Sequence, residues 1–186
     1  MKLGRRYETY VKSYVINETN EPEYFSVVGD IYATPEFRST EKNIQHADIT
    51  CRQHMLSVSY MSYTASKRKH LQARSAARAA LMHDLVYYDW HEKGDGSHRL
   101  HGYRHPGFAL KNAKALFPLS ALEENIILRH MWPLTPIPPK YRESFLVSMA
   151  DKYCAMHEIL IKKFPSYQKK FRRDVAKAGE AYECRD

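Results

Sequence analysis

Apolar residues recur along this chain at three- and four-residue spacing, and nowhere do Val, Ile and Thr alternate over the length of a strand, so the pattern predicts helices almost throughout. Residues 1–43 break into two or three short helices, one of them starting at Thr34-Pro35-Glu36, where Thr caps and Pro occupies the first turn. Over 50–68, His54, Val58, Met61 and Ala65 share one helical face; over 73–90, Ala76, Ala77, Ala80, Leu81 and Leu85 do. The polar, Gly-containing stretch 92–105 reads as a loop, after which Pro106 opens a helix carrying Ala109, Leu110, Ala113 and Leu116. Ser120-Ala-Leu-Glu123 has the form of a capping box and starts a helix that runs to His130. Met131 to Pro139 holds four prolines and cannot be helical. A long helix follows from Lys140 to about Phe164, with Phe145, Met149, Ala150 and Tyr153 as core candidates, and Pro165 interrupts it before helical spacing resumes. The expected fold is an all-α single helical bundle of about six to nine helices. It divides into an N-terminal helical extension (1–44), a central helical domain (45–164) and a basic C-terminal helix or tail (165–186).

Composition narrows the class. The 186 residues suit one domain with a real core, and 3 Cys are too few and too far apart for a disulfide framework. Cys51, Cys154 and Cys184 are expected to be reduced thiols in a cytoplasmic protein. No apolar run approaches the roughly 20 residues of a membrane span, and the basic start, Met1 to Arg6, leads into no apolar signal region. The net charge of +8 points to anionic partners. Much of it lies in 162–177, where Lys162, Lys163, Lys169, Lys170, Arg172, Arg173 and Lys177 meet Asp174 alone. A solvated helix face or a surface for phosphate or nucleic acid accounts for that run.

The chemistry sits where polar residues fall on apolar stripes. His83 lies three residues after Ala80 and Asp84 four after it; His54 shares a face with Val58 and Met61; His130 follows Ile126 by four; Asp151 follows Val147 by four, beside Ala150. A carboxylate in such a position is expensive unless it is paired or bound to a cation. Helices that bury a common core bring these groups together, and imidazoles clustered with carboxylates make a divalent-metal site.

His54, then His83-Asp84 within Ala-Ala-Leu-Met-His-Asp-Leu, then Asp151 within Met-Ala-Asp-Lys, resembles the HD-domain metal-dependent phosphohydrolase superfamily over roughly residues 45–160. His105-Pro-Gly-Phe-Ala-Leu and Ile126-Ile-Leu-Arg-His130 are similar to the subset with two further His ligands. The resemblance implies His54, His83, Asp84 and Asp151 as ligands of a first metal, with His105 and His130 serving a second and Asp84 bridging. His101 and His105 compete for one ligand position, and the helix that begins after His105 favours the latter. His46 competes in the same way with His54, which its helical context favours, and Gln45-His46 is expected near the site mouth. No Gly-Tyr-Pro follows the His cluster, so the cyclic-dinucleotide subtype is not supported.

The implied activity is hydrolysis of a phosphate ester, a mono- or diester of a nucleotide or similar small molecule, by hydroxide made available on one or two divalent ions. Ligand type admits Fe, Mn, Zn, Co or Ni. His83 and Asp84 hold the ions, and His101 or His46 is placed to donate a proton to the leaving oxygen. Arg104 and Lys152 are candidates to clamp substrate phosphate, with Arg129 more plausibly facing solvent. Trp132 either walls the pocket and stacks on a base or plugs the site from beneath; Tyr87, Tyr88 and Trp90 read as packing residues. Two alternatives stand beside this. One is a nucleic-acid-binding or -processing protein with the same metal core, using 162–177 and the run Lys67, Arg68, Lys69, Arg74 and Arg78. The other is a non-catalytic, metal-stabilised helical module.

Overall fold

The computed structural model describes residues 3–46, 49–86 and 101–183. In chain order the elements are α1 (Leu3–Lys12), α2 (Pro22–Tyr32), α3 (Pro35–Ser39), a 3-10 turn (Thr40–Lys42), β1 (Ile44–His46), β2 (Ile49–Thr50), α4 (Cys51–Arg68), α5 (Ala73–Met82), α6 (His101–Leu116), α7 (Ala121–Arg129), α8 (Arg142–Lys163) and α9 (Pro165–Glu183). The fold is all-α, as expected, apart from the small antiparallel ribbon of β1 and β2, which pairs Ile44 with Thr50. No described helix is long and apolar enough to cross a membrane.

The helix starts follow local chemistry. Thr34 Oγ1 accepts the Phe37 amide, Thr50 accepts that of Gln53, and Ser120 and Glu123 close the capping box of α7. Two boundaries differ from expectation. α5 ends at Met82 rather than continuing to 90, because the His83 ring bonds the Ala80 carbonyl and closes the last turn. Tyr87, Tyr88, Trp90 and the stretch 91–100 lie outside the described residues. α6 begins at His101, so Pro106 sits inside the helix rather than opening it. It is the sixth residue of α6, beyond the four amides that lack partners at a helix start, so its ring forgoes one intrahelical hydrogen bond.

α4 is the axis. It packs against α1, α5 and α8, and residues all around it are buried, from His54 and Met55 to Tyr63 and Ser66. The single apolar face expected from sequence underestimates this, because the other faces mix Met55, Leu56, Tyr60 and Tyr63 with buried serines. Ser59 Oγ donates to the Ala77 carbonyl at 2.7 Å and accepts from the Tyr24 hydroxyl, and Ser13 donates to Ser57. On the α5 side of Ser59, Ala76, Ala77, Ala79 and Ala80 are fully buried. The α4–α5 seam is therefore built of the smallest side chains, which lets two backbones approach closely. Arg78 leaves the seam on the far side of α5, donating to Asp30 Oδ1 at 2.5 Å and to the Val27 carbonyl.

The outer segments belong to the same core. Tyr10 of α1, Val28 of α2, Phe37 of α3 and Phe171 of α9 are buried in one cluster with the central helices, so the extension and tail read from sequence are packed layers. On α8 the inward stripe is Val147, Ala150, Asp151, Cys154 and Glu158. Phe145 and Met149, expected in the core, are each 46% exposed. Each lies two residues from a member of that stripe, about 200° around the helix. Tyr153 is half-buried, and Cys51 and Cys154 are buried.

Where α1, α8 and α9 meet, His157 lies within a cage of rings, with centroids 4.4 Å from Tyr153, 5.1 Å from Tyr10 and 5.6 Å from Tyr7. Its Nδ1 pairs with the Tyr167 hydroxyl. Burial lowers its pKa to about 4, against the opposing pull of Glu158, and Lys170 adds to the lowering. The folded value lies below the unfolded one, so the unfolded chain takes up the proton first as pH falls. The contribution is fully present above about pH 6.5 and is lost progressively down to about pH 4. Denaturant titrations at pH 7 and 4 should show wild type losing on the order of 1–3 kcal/mol more than His157→Phe. Parallel losses in the two proteins would remove His157 from the acid sensitivity.

Candidate metal centre

Five helices deliver side chains to one buried point. His54 comes from the second turn of α4, His83 and Asp84 from the end of α5, His105 from α6, His130 from the end of α7 and Asp151 from the middle of α8. All six are at most 8% exposed.

Local bonds fix how the rings face. His83 and His130 stand immediately after their helices, and each directs Nδ1 to the carbonyl three residues back, Ala80 and Ile127, at 2.7 Å. His54 directs Nδ1 to both oxygens of Glu158, at 2.8 and 3.0 Å. In each ring the tied Nδ1 is the donor, which leaves the Nε2 lone pair for the interior. Those Nε2 atoms converge. His54 Nε2 lies 3.2 Å and His83 Nε2 3.7 Å from Asp151 Oδ1. His83 Nε2 is 3.3 Å from Asp84 Oδ2, while His105 and His130 Nε2 are 3.2 and 3.4 Å from Asp84 Oδ1. His105 and His130 bring their Nε2 atoms within 2.8 Å of each other.

Ligands held about 2.0–2.2 Å from one ion lie about 3–3.5 Å apart, so these spacings are those of donors around a cation. The cluster also leaves polar atoms unmet. His83 Nε2 and Asp84 Oδ1 are buried with no hydrogen bond of acceptable geometry among the described residues. Ligand atoms of His54, His83 and Asp151, and of His83, Asp84 and His130, lie close enough together to hold a metal ion.

The electrostatics run the same way. Burial alone would raise Asp84 and Asp151, but His83 and His105 hold Asp84, and His54 and His83 hold Asp151, well below the usual carboxylate range. Burial alone would lower His83, yet Asp84 and Asp151 raise it to about 9. His54 is likewise raised against its burial, by Glu158 and Asp151. His130, where burial dominates, is lowered. Ionised carboxylates that attract a proton to His83 attract a divalent cation to the same lone pair, with release of the proton.

Residues around the six complete the site. Glu158 is fully buried, and Gln45 of β1 donates to Asp84 Oδ2 at 2.9 Å while accepting from the Cys51 thiol. Glu158 was not expected from the sequence, and Gln45 was expected only at the site mouth, beside His46. Glu158 carried a usable signal, since it continues the inward stripe of α8 four residues after Cys154. The bond from Gln45 to Asp84 depends on the small ribbon, which helical spacing does not predict.

The other candidates are distributed differently. Lys152 donates to the His130 carbonyl at 2.9 Å and to Ser148 Oγ at 2.9 Å, so its ammonium is engaged in joining α7 to α8. Burial lowers its pKa. Arg104 is exposed, with its guanidinium 5.9 Å from the Phe108 ring centroid. Trp132 packs on Phe145 at 5.6 Å, on the outer side of α8. The side chains of His46 and His101 lie outside the described residues. Of the basic run expected to track nucleic acid, Lys67 pairs with Glu23 and Arg78 is buried against Asp30, leaving only part of it exposed. The seven cations of 162–177 are all exposed, and Lys170 pairs with Asp174. No family model, curated protein or solved structure matches this chain.

Proposed function

We propose that this protein is a metal-dependent phosphohydrolase of the HD type, acting on a small phosphorylated substrate such as a nucleotide. The observation that carries the reading is Asp84. One ionised carboxylate faces imidazole nitrogen on both of its oxygens, His83 on one side and His105 with His130 on the other. Such a carboxylate suits a bridge between two ions, with His54, His83 and Asp151 completing one set and His105 and His130 the other. The imidazole and carboxylate donors suit Fe, Mn, Zn, Co or Ni.

A divalent cation, when bound, lowers the pKa of water towards neutrality and takes charge from phosphate oxygens. The remaining work falls to the chain. The carbonyls of Ala80 and Ile127 and the carboxylate of Glu158 hold three rings in one tautomer. Gln45 holds Asp84 in register. Burial of the six donors excludes bulk water and strengthens their field. His101, one helical turn before His105, is assigned to protonating the leaving oxygen, and Arg104 to contacting substrate phosphate.

The test uses protein purified without chelator. Elemental analysis should find one or two equivalents of transition metal. A panel of phosphate mono- and diesters should include a substrate whose turnover stops on chelation and returns with metal. No metal after reconstitution with each candidate ion would overturn the centre. Metal without turnover on any ester would favour the non-catalytic module.

A further inference from the structure

A cavity lies between α1, the C-terminal end of α4 and the N-terminal half of α8, and none of the six clustered donors lines it. Its volume is about 690 Å³, within the usual range for sites of small organic ligands. The lining divides sharply by chemistry. Arg5, Arg6, Arg68, Lys69 and Arg142 contribute five cations, and no Asp or Glu lines it. The walls are otherwise largely apolar, made by Met61, Leu71, Phe145, Met149 and Tyr153.

Three features set this groove apart from an ordinary solvated surface. Arg5, Arg6, Lys69 and Arg142 enter no ion pair among the described residues. Gathering like charges in one concavity opposes folding and focuses a positive potential there. Arg5 and Arg6 lie in the first turn of α1, and Arg142 opens α8, which has no side-chain cap. Cations at helix N-termini are unfavourable, whereas an anion there would be stabilised. Finally, Phe145 and Met149 remain 46% exposed on the wall beside these charges, so an apolar surface is offered as well.

We infer that this groove binds a small organic phosphate that joins an apolar body to its anionic head, the body lying on Phe145 and Met149 and the head held by the arginines. The charge selects an anion, and bidentate contacts favour phosphate. The apolar walls select against inorganic phosphate, which would leave them wet. Arg68 stands fourteen residues beyond His54 on α4, about 21 Å along the helix, so the basic end is remote from the metal centre. The inference does not depend on the function proposed for that centre.

Decyl phosphate, titrated calorimetrically below its micelle concentration into the full chain, is the test. Saturable binding of one equivalent is expected, at least tenfold tighter than decanol and a hundredfold tighter than inorganic phosphate. Arg142→Gln and Lys69→Gln, both at exposed positions, should each weaken it about tenfold or more with unchanged melting temperature. Chelated protein and Asp84→Ala should bind as wild type does. Binding that disappears with the metal or with Asp84 would place the ligand at the centre and overturn the inference. So would binding indifferent to both groove substitutions, equal binding of decanol, or no saturable binding.

Discussion

Asp84→Ala is expected to remove metal from both halves of the centre at once. Its two oxygens face different imidazoles, Oδ2 towards His83 and Oδ1 towards His105 and His130. A substitution at His105 or His130 leaves the set of His54, His83 and Asp151 intact and should cost one ion. Loss of Asp84 takes a shared anion from two sets, and retained metal should fall to a small fraction of wild type. Turnover of the best phosphate ester should drop on the order of 10³-fold, because both the activated water and the stabilisation of phosphate charge are lost together. The fold should survive. Helices α4, α5 and α8 are joined by extensive packing, and Ala at position 84 removes a buried charge without adding bulk. Circular dichroism melting of the metal-free proteins checks this. Wild-type metal content in Asp84→Ala would rule out the bridging role.

The second large effect concerns a residue that touches no ion. In Glu158→Gln the side chain can still accept the Nδ1–H of His54, but as a neutral amide. The carboxylate presently offers both oxygens to that nitrogen from a fully buried position. Its charge raises the basicity of the ring, and such outer partners typically govern 10–100-fold in metal affinity. Competition with a chromophoric chelator should therefore show metal affinity weakened about 10–100-fold, with a metal-free melting temperature near that of wild type. Glu158→Leu removes the acceptor outright, leaves Nδ1 unmet and should destabilise the metal-free fold by about 1–3 kcal/mol as well. Affinity unchanged in Glu158→Gln would leave Glu158 a packing residue.

Much of this architecture was legible in the sequence because it is written in local chemistry. The caps at Thr34 and Ser120 need only neighbouring residues, and the proline-rich stretch 131–139 excludes helix by itself. Five of the six clustered donors were legible for a different reason, as polar residues stand out on apolar stripes, while His105 was legible only through the family resemblance. Glu158 satisfies the same criterion, continuing the inward stripe of α8 one turn after Cys154. The misplaced residues depend on what lies across from them. Phe145 and Met149 are apolar, but apolarity does not distinguish a core from the wall of a groove. The early end of α5 depends on the ring of His83 turning back onto Ala80, a choice between two nearby acceptors that periodicity does not encode.

The seam of serines and alanines between α4 and α5 bears on how such a centre diverges. His54 rides on one side of that seam and His83 on the other, so the thickness of the seam sets the gap between two donors. Donor positions around a cation tolerate only about 0.2 Å, far less than the displacement that one added methyl group forces between close-packed helices. Ser59 and Ala77 thus act as shims. Variation among proteins built on this plan can retune which ion is held, and how tightly, through residues that never meet it, while every donor stays the same.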